Sequence, residues 1–286
     1  MLINQSEALV LRERLLEKKK IESTNERQPI LLCIGVDVGQ QNDPSVFVAV
    51  QKTRNHRFLK WTESQTARVD LNDPLSGLEA QYVDEVSFDV VMIRRVRLKT
   101  SYSAVVQELL EIVETPQIAV LNPHIALDGV SIGRALFEMM MDASIRNVKS
   151  IVVTGSQSGS FTDDDPYFTV GKVDVFSTLK ALFGRGALKI SSALREAPAL
   201  QRELEAFTVK RKGGGRASYE AAPSATDDII SALALSIWYL SKVADAPPAL
   251  IAPIEIKRDF GDGLRTPRRV SRGSYSMSNR GNRGHY

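Results

Sequence analysis

The hydrophobic positions of the chain fall into short runs separated by polar turns, and their spacing predicts alternating strands and helices. ILLCIGV (30–36) is apolar at every position, the pattern of a strand buried on both faces, and it closes on Asp37. After a Gly/Asn/Asp/Pro turn, SVFVAVQ (45–51) and then VSFDVVMIRRVRL (86–98) predict a second and a third strand. The stretch between them, roughly 54–85, is polar and no period assigns it. SYSAVVQELLEIVE (101–114) has helical spacing, with Pro116 just past its end. QIAVLNPHIAL (117–127) predicts another apolar strand, and it too closes on an acid, Asp128. Residues 131–142 predict a helix and VKSIVVTG (148–155) a further strand. Helices follow at 172–183 and 196–207, then a Gly-rich basic turn at 210–216 and a strongly apolar helix over 226–243. Ahead of all these, residues 5–26 predict an amphipathic helix with Ala8, Leu11 and Leu15 as its stripe.

That order predicts one α/β domain, a sheet of mixed strand direction flanked by helices, over residues 30–257. Residues 1–29 form an N-terminal helical segment, and 258–286, rich in Gly, Arg, Ser and Asn, form a tail predicted to be disordered. A 43% hydrophobic and 25% charged composition supplies a core of ordinary size. No apolar run approaches the ~20 residues that span a bilayer, and the acid-containing start is no secretory signal. The lone cysteine, Cys33, forms no internal disulfide, which fits a reducing cytoplasm. The net charge of +3 conceals an asymmetry: residues 257–286 hold eight Lys or Arg against Asp259 and Asp262, so the remainder is net acidic. The basic end is a tail, suited to nucleic acid, to an acidic partner or simply to solubility.

Candidate chemistry lies in where the acids fall. Asp37 and Asp128 each close an apolar strand, and Asp227 and Asp228 open the apolar helix IISALALSIWYL. Carboxylates at strand ends sit on the sheet edge where α/β folds bind ligands. If the two strands are neighbours, their acids meet, and the helix supplies more from the sheet's face. Hard cations such as Mg²⁺ take carboxylate oxygens, and clustered acids without a cation repel one another. Singly, each acid also reads as a turn former or as a complement to a helix dipole. Their joint placement favours a metal site.

Five segments carry a resemblance: GVDVGQQNDPSVFVAV, IALDGVSIGRALFEMM, GKVDVFSTLKALFGRGALKI, LQRELEAF and TDDIISALALSIWYL. In order and spacing, over roughly residues 30–243, they resemble the nuclease domain of phage terminase large subunits, which has a ribonuclease H-like fold. The resemblance implies an endonuclease that cuts double-stranded viral DNA during genome packaging with Mg²⁺ or Mn²⁺, at a two-metal site. It places Asp37 and Asp128 as strand ligands, and Asp227 and Asp228 as the final-helix acids. The setting it implies is the host cytoplasm at the procapsid. The partners implied are a packaging ATPase motor, the portal or a small terminase subunit, with the tail as a docking segment. Two departures stand out. Many members have His just before the paired acids, where this chain has Thr226, a credible N-cap. The ATPase motor that normally precedes such a nuclease has a G-x-x-x-x-G-K-[ST] loop; none occurs here, and the nearest match, VGKVD, lacks its spacing. The chain reads as a nuclease without its own motor, which leaves translocation to another polypeptide or to a removed segment; a start at Met1 leans towards a stand-alone gene product.

Lys172, at a helix start, is a candidate phosphate contact. Lys210, Arg211, Lys212 and Arg216 bracket Gly213–Gly215 and suit a basic hairpin that grips a DNA backbone without reading bases. Ordinary surface lysines and an ordinary turn are the alternatives. Asp43 reads as a turn cap and His124 as structural, while Met139–Met141 read as core filling and Asp163–Asp165 as an acidic turn without chemistry. IGVDVGQQNDPSVFVAV also resembles the phosphate hairpin of actin-like kinases and ATPases, but that fold needs two lobes and a second glycine-rich hairpin. A non-catalytic DNA-binding packaging subunit is the other alternative, and the intact acids argue against it.

Overall fold

A computed structural model describes residues 5–22, 25–39, 43–63, 78–130, 132–155, 166–212, 216–221 and 226–243, with side chains undescribed at 5–9, 11, 12, 21, 25, 63, 208–212 and 216–221. The helices are α1 (Gln5–Glu22), α2 (Tyr102–Val113), α3 (Pro116–Ala119), α4 (Gly133–Asp142), α5 (Lys172–Gly184), α6 (Ala197–Ala206) and α7 (Asp228–Lys242). The strands are β1 (Asn25–Asp37), β2 (Val46–Glu63), β3 (Leu78–Arg95), β4 (His124–Asp128), β5 (Val148–Thr154), β6 (Tyr167–Gly171), β7 (Leu188–Ile190), β8 (Phe207–Lys212) and β9 (Arg216–Ala221).

Seven strands form one sheet in the order β6-β5-β4-β1-β2-β3-β7, and β8 and β9 pair apart from it as a hairpin. β1, β2 and β3 are antiparallel neighbours, while β4, β5 and β6 run parallel to β1 on its other side. The α/β sheet of mixed direction flanked by helices is the one the sequence predicts, with β1 at its centre. The two lobes of the kinase alternative are not found among the described residues.

The continuous apolar run of β1 serves two cores. Cys33 faces α5, α6 and α7 together with Val46, Val48, Val50 and Ala126. Leu32, Ile34 and Val36 face α2 and α4 on the opposite side, with Phe47, Ala49 and Leu127. α7 is buried almost all round, from Ile229 to Leu240 with one intermediate residue, Ser231, because it lies between the sheet and the outer helices. It approaches β1 so closely that a Cβ at Gly35 would run into the backbone carbonyl of Ala232. Far along the helix, Tyr239 Oη lies 2.7 Å from His124 Nδ1 at the start of β4, and Lys52 Nζ donates to the Leu240 carbonyl at 3.1 Å. α7 therefore runs opposite to β1, with its N-terminus over the strand's C-terminal end.

Several expectations change. The unassigned stretch 54–85 contains the outer halves of β2 and β3, which pair out to Glu63↔Leu78. Beyond the core these strands are largely exposed, so no apolar alternation marked them. QIAVLNP is not strand: Pro116 opens the short α3, with Pro at a favoured first position, and β4 begins only at His124. β6 and β7, of five and three residues, were not foreseen. Leu15 of the expected α1 stripe is 52% exposed, and α1 instead meets β2 through Trp61, whose Nε1 donates to Glu22 at 3.0 Å. His124, read as structural, contacts Tyr239. Met140 is core while Met141 is 49% exposed. Asp163–Asp165 and the tail from 257 lie outside the described residues.

The seating of α7 yields a test. Gly35→Ala should force helix and strand apart and lower stability by at least ~1–3 kcal/mol, the usual cost of overpacking. Thermal denaturation followed by circular dichroism measures it; an unchanged midpoint would mean that α7 is not seated on Gly35.

Candidate metal centre

The acids gather because of strand register. Val36 pairs with Leu127 in the parallel β1–β4 ladder, so Asp37 and Asp128 follow as neighbours at the ends of adjacent strands, about 5 Å apart in the pairing direction. On the other side of β1, Asp37 pairs with Val46 and Val46 with Arg95. Residues paired across strands share a face, so Asp37, Val46 and Arg95 form a row beneath α7 and α6. Asp227 and Asp228 enter from above, at the N-cap and first position of α7.

The field between these groups is strong. Burial pushes the Asp37 carboxyl well above its ordinary range, and the charges of Asp128, Asp228, Asp227 and Glu203 all push it further. Asp128 is raised by burial and partly relieved by the Val130 N–H, which donates to its Oδ1 at 2.9 Å. That bond is the turn-forming role its sequence also suggested. Asp228 is pushed up to about 6, first by burial and then by Asp43; Arg95 opposes the rise and Asp227 adds to it. Asp43, read from sequence as a turn cap, is thus part of the acidic field. Asp228 Oδ2 is buried without a hydrogen-bond partner.

Glu203 on α6 is the residue that sequence reasoning passed over. It is 5% exposed, and its carboxylate accepts from the Ile230 N–H at 3.0 Å, the Thr226 hydroxyl at 3.2 Å and Arg95 Nη2 at 3.2 Å. Burial raises its pKa, the Ile230 N–H, Arg95 and Thr226 lower it, and Asp228 raises it again. Its segment, LQRELEAF, was among those carrying the family resemblance. Within it, a Glu beside Arg and a second Glu reads as a solvated helix face. Thr226, expected as the N-cap, is not: Asp227 holds that position, and the Thr226 hydroxyl turns to Glu203.

The donors fit a hard divalent cation in kind, being carboxylate oxygens without sulfur or imidazole, and an orphaned oxygen is present among them. They share one field without forming a closed cage: among the described residues no three His, Cys, Asp or Glu side chains are grouped as a ready-made metal site.

The basic candidates divide. Lys172 is not among the charges acting on the raised carboxyls. Its Nζ lies 5.6 Å from the Phe176 ring centre, and the first turn of α5 is fastened to the far half of α7. There Trp238 Nε1 donates to Asp174 at 2.8 Å, and Lys242 Nζ lies 3.5 Å from the same carboxylate. That anchorage is roughly 15 Å along α7 from Asp228. Lys210, Arg211, Lys212 and Arg216 fall on the β8–β9 hairpin, with Lys212 and Arg216 paired at its tip. The hairpin leaves the end of α6 at Phe207, which stacks on Phe176 at 4.7 Å. A cleft of about 1140 Å³ around Arg27, Asp89 and Arg185 lies near the start of β1, away from the acids. A groove of about 750 Å³ between α5 and α6 reaches Ile230 but holds none of the aspartates.

The raised carboxyls predict a pH dependence. Groups whose folded pKa lies above the unfolded value contribute stability fully present below the unfolded pKa and lost as pH rises through the folded one. Metal-free protein should therefore lose stability from about pH 4 upward, with the Asp228 share lost around its value of about 6. Asp37→Asn should raise the melting temperature near pH 7.5, by roughly 2–4 °C per kcal/mol of repulsion relieved, and the gain should vanish towards pH 4. Melting curves across that range check the sign; a destabilised Asp37→Asn at neutral pH would contradict it.

No protein-family model matches the sequence, and no curated protein matches it. Solved structures do resemble it. The large terminase nuclease domain of Thermus phage P74-26 is 20% identical with a TM-score of 0.44, over 72% of this chain and 78% of that one. The large terminase nuclease of thermophilic phage G20c with bound magnesium is 18% identical, TM-score 0.43, over 73% and 80%. The human cytomegalovirus terminase nuclease domain, soaked with Mn and inhibitor-bound, is 13% identical, TM-score 0.41, over 75% and 84%.

Proposed function

We propose that this chain is a divalent-metal-dependent endonuclease that cuts double-stranded DNA, acting in viral genome packaging. The observation that carries the reading is the meeting of Asp37, Asp128, Asp227 and Asp228 at one sheet edge, where every influence acting on Asp37 opposes its ionisation. Buried carboxylates held against one another fit a site completed by positive charge.

Asp37 and Asp128 hang from paired strands and have little freedom, so they fix the base of the site. Asp227 and Asp228 approach from a buried helix and close it from above. Mg²⁺ or Mn²⁺ bound by these acids, as a pair, would supply an activated water and stabilise the leaving oxygen of a phosphodiester. The chain's own contribution is to orient the carboxylates and keep their oxygens free for ligands. The β8–β9 hairpin, inserted between Glu203 and Asp227, sets Lys210, Arg211, Lys212 and Arg216 next to that edge in the chain, suited to holding backbone phosphates. Lys172, at the start of α5, is a further candidate phosphate contact on a different element. No phosphate-loop motif occurs in the 286 residues, so ATP-driven movement of DNA would come from a motor outside this sequence, working with a portal or small terminase subunit. No described helix is long and apolar enough to cross a membrane. The host cytoplasm at the procapsid fits this role.

Plasmid nicking tests the central reading. Relaxation and linearisation should require Mn²⁺ or Mg²⁺ and stop with EDTA, with little sequence preference. Asp37→Asn and Asp128→Asn should lower the rate by orders of magnitude while leaving the fold intact. Activity that survives chelation would sink the metal mechanism, and full activity in either variant would remove that residue from the site.

The two basic regions separate in a second assay. Replacing Lys210, Arg211 and Lys212 by Ala should slow nicking and flatten its dependence on salt, because fewer counterions are released. Truncation after Ile256 should leave nicking by the isolated chain nearly unchanged and impair packaging in a reconstituted system. A truncation that slows nicking more than the triple substitution would reverse these assignments.

A further inference from the structure

α7 starts without a cap of its own. The first N–H groups of a helix have no partner within it, and an Asp at the N-cap normally accepts one from two or three residues ahead. Asp227 occupies that position with φ −127° and ψ 18°, yet its side chain makes no capping hydrogen bond. The N–H three residues on, at Ile230, goes instead to Glu203 Oε2 at 3.0 Å, a group from another helix. Glu203 Oε1 takes the remaining contacts, the Thr226 hydroxyl and Arg95 Nη2, each at 3.2 Å. Both oxygens of a nearly fully buried carboxylate are thus committed. Arg95 also reaches Glu196 at 3.7 Å and stands on the cross-strand row that contains Asp37.

We propose that Glu203 is a positioning residue of the metal centre and not one of its ligands. It caps α7 from outside, which leaves the Asp227 carboxylate out of capping, and through Arg95 it ties the start of α7 to the strand row of Asp37. The contrast in bonding supports this: Glu203 has both oxygens occupied, whereas Asp228 Oδ2 is buried and unpartnered. The inference rests on the reading of the aspartates as metal-binding, and it makes the geometry of two ligands depend on a glutamate that touches no metal.

The experiment compares wild type, Glu203→Gln, Glu203→Ala and Thr226→Val in the full chain, by metal-free melting and by Mn²⁺ titration calorimetry. A cap predicts lower metal-free melting temperatures, by roughly 2–4 °C for Glu203→Ala. Glu203→Gln should fall less, since its amide oxygen still accepts from Ile230, and Thr226→Val should shift slightly in the same direction. Mn²⁺ affinity should weaken by roughly 10–100-fold in Glu203→Ala, as for residues that orient ligands, and by less in Glu203→Gln. A ligand would behave differently: Glu203→Gln would abolish Mn²⁺ binding as fully as Asp37→Asn does, and that result overturns the proposal. Failure of the wild-type chain to take up Mn²⁺ would overturn the metal reading and this inference with it, and wild type alone reveals that case.

Discussion

The close contact between α7 and β1 at Gly35 governs the rest of the molecule. A helix apolar on every side must be covered on every side, and α7 is covered below by the sheet and outside by α5 and α6. Only a residue without a side chain lets the helix backbone come down onto the strand at that point. Once that contact and the His124–Tyr239 contact are made, the helix direction has no freedom left. Its N-terminus then has to lie over the ends of β1 and β4, where Asp37 and Asp128 already stand. The acidic site is therefore a consequence of core packing, set by apolar residues that never touch it.

That placement is electrostatically costly. Carboxylates with restricted access to water and with like charges beside them resist ionisation, and for Asp37 no contribution acts in the opposite direction. Arg95 relieves Asp228 and Glu203. A chain that holds its buried acids within one another's field in this way gives up stability at neutral pH. The same logic separates Glu203 from the aspartates. It accepts from an N–H, a hydroxyl and a guanidinium together, more than Asp37, Asp128 or Asp228 receives, and so it serves as architecture.

What was legible in the sequence follows from burial. β1 and β4 were readable because strands covered on both faces must be apolar, and their closing aspartates stood out against that background. α7 was readable for the same reason. The outer arms of β2 and β3 were not, since they are held by backbone pairing between mostly exposed residues and need no apolar pattern. β6 and β7 are too short to show a period. Glu203 was hidden by a different limit: its importance comes from Ile230 and Arg95, respectively 27 and 108 positions away, and helical spacing carries no trace of such partners. The start of the helix that carries Lys172 is held by the Trp238–Asp174 bond, a contact 64 positions apart that the sequence pattern does not reveal.

The position of the β8–β9 hairpin connects these points. The chain leaves α6 just after Glu203, makes the hairpin and returns at Thr226, where the Thr226–Glu203 hydrogen bond closes the excursion. The same glutamate therefore closes the base of the basic hairpin and caps the helix that carries two of the acids. On the α6 side β8 follows the helix directly, so a pull on that strand bears on the helix that carries Glu203 and its 3.2 Å bond to Thr226. In the proposed function this joins the grip on the phosphate backbone to the alignment of the carboxylates: DNA held by the hairpin bears on the start of α7, and the geometry of Asp227 and Asp228 is set by the same clamp.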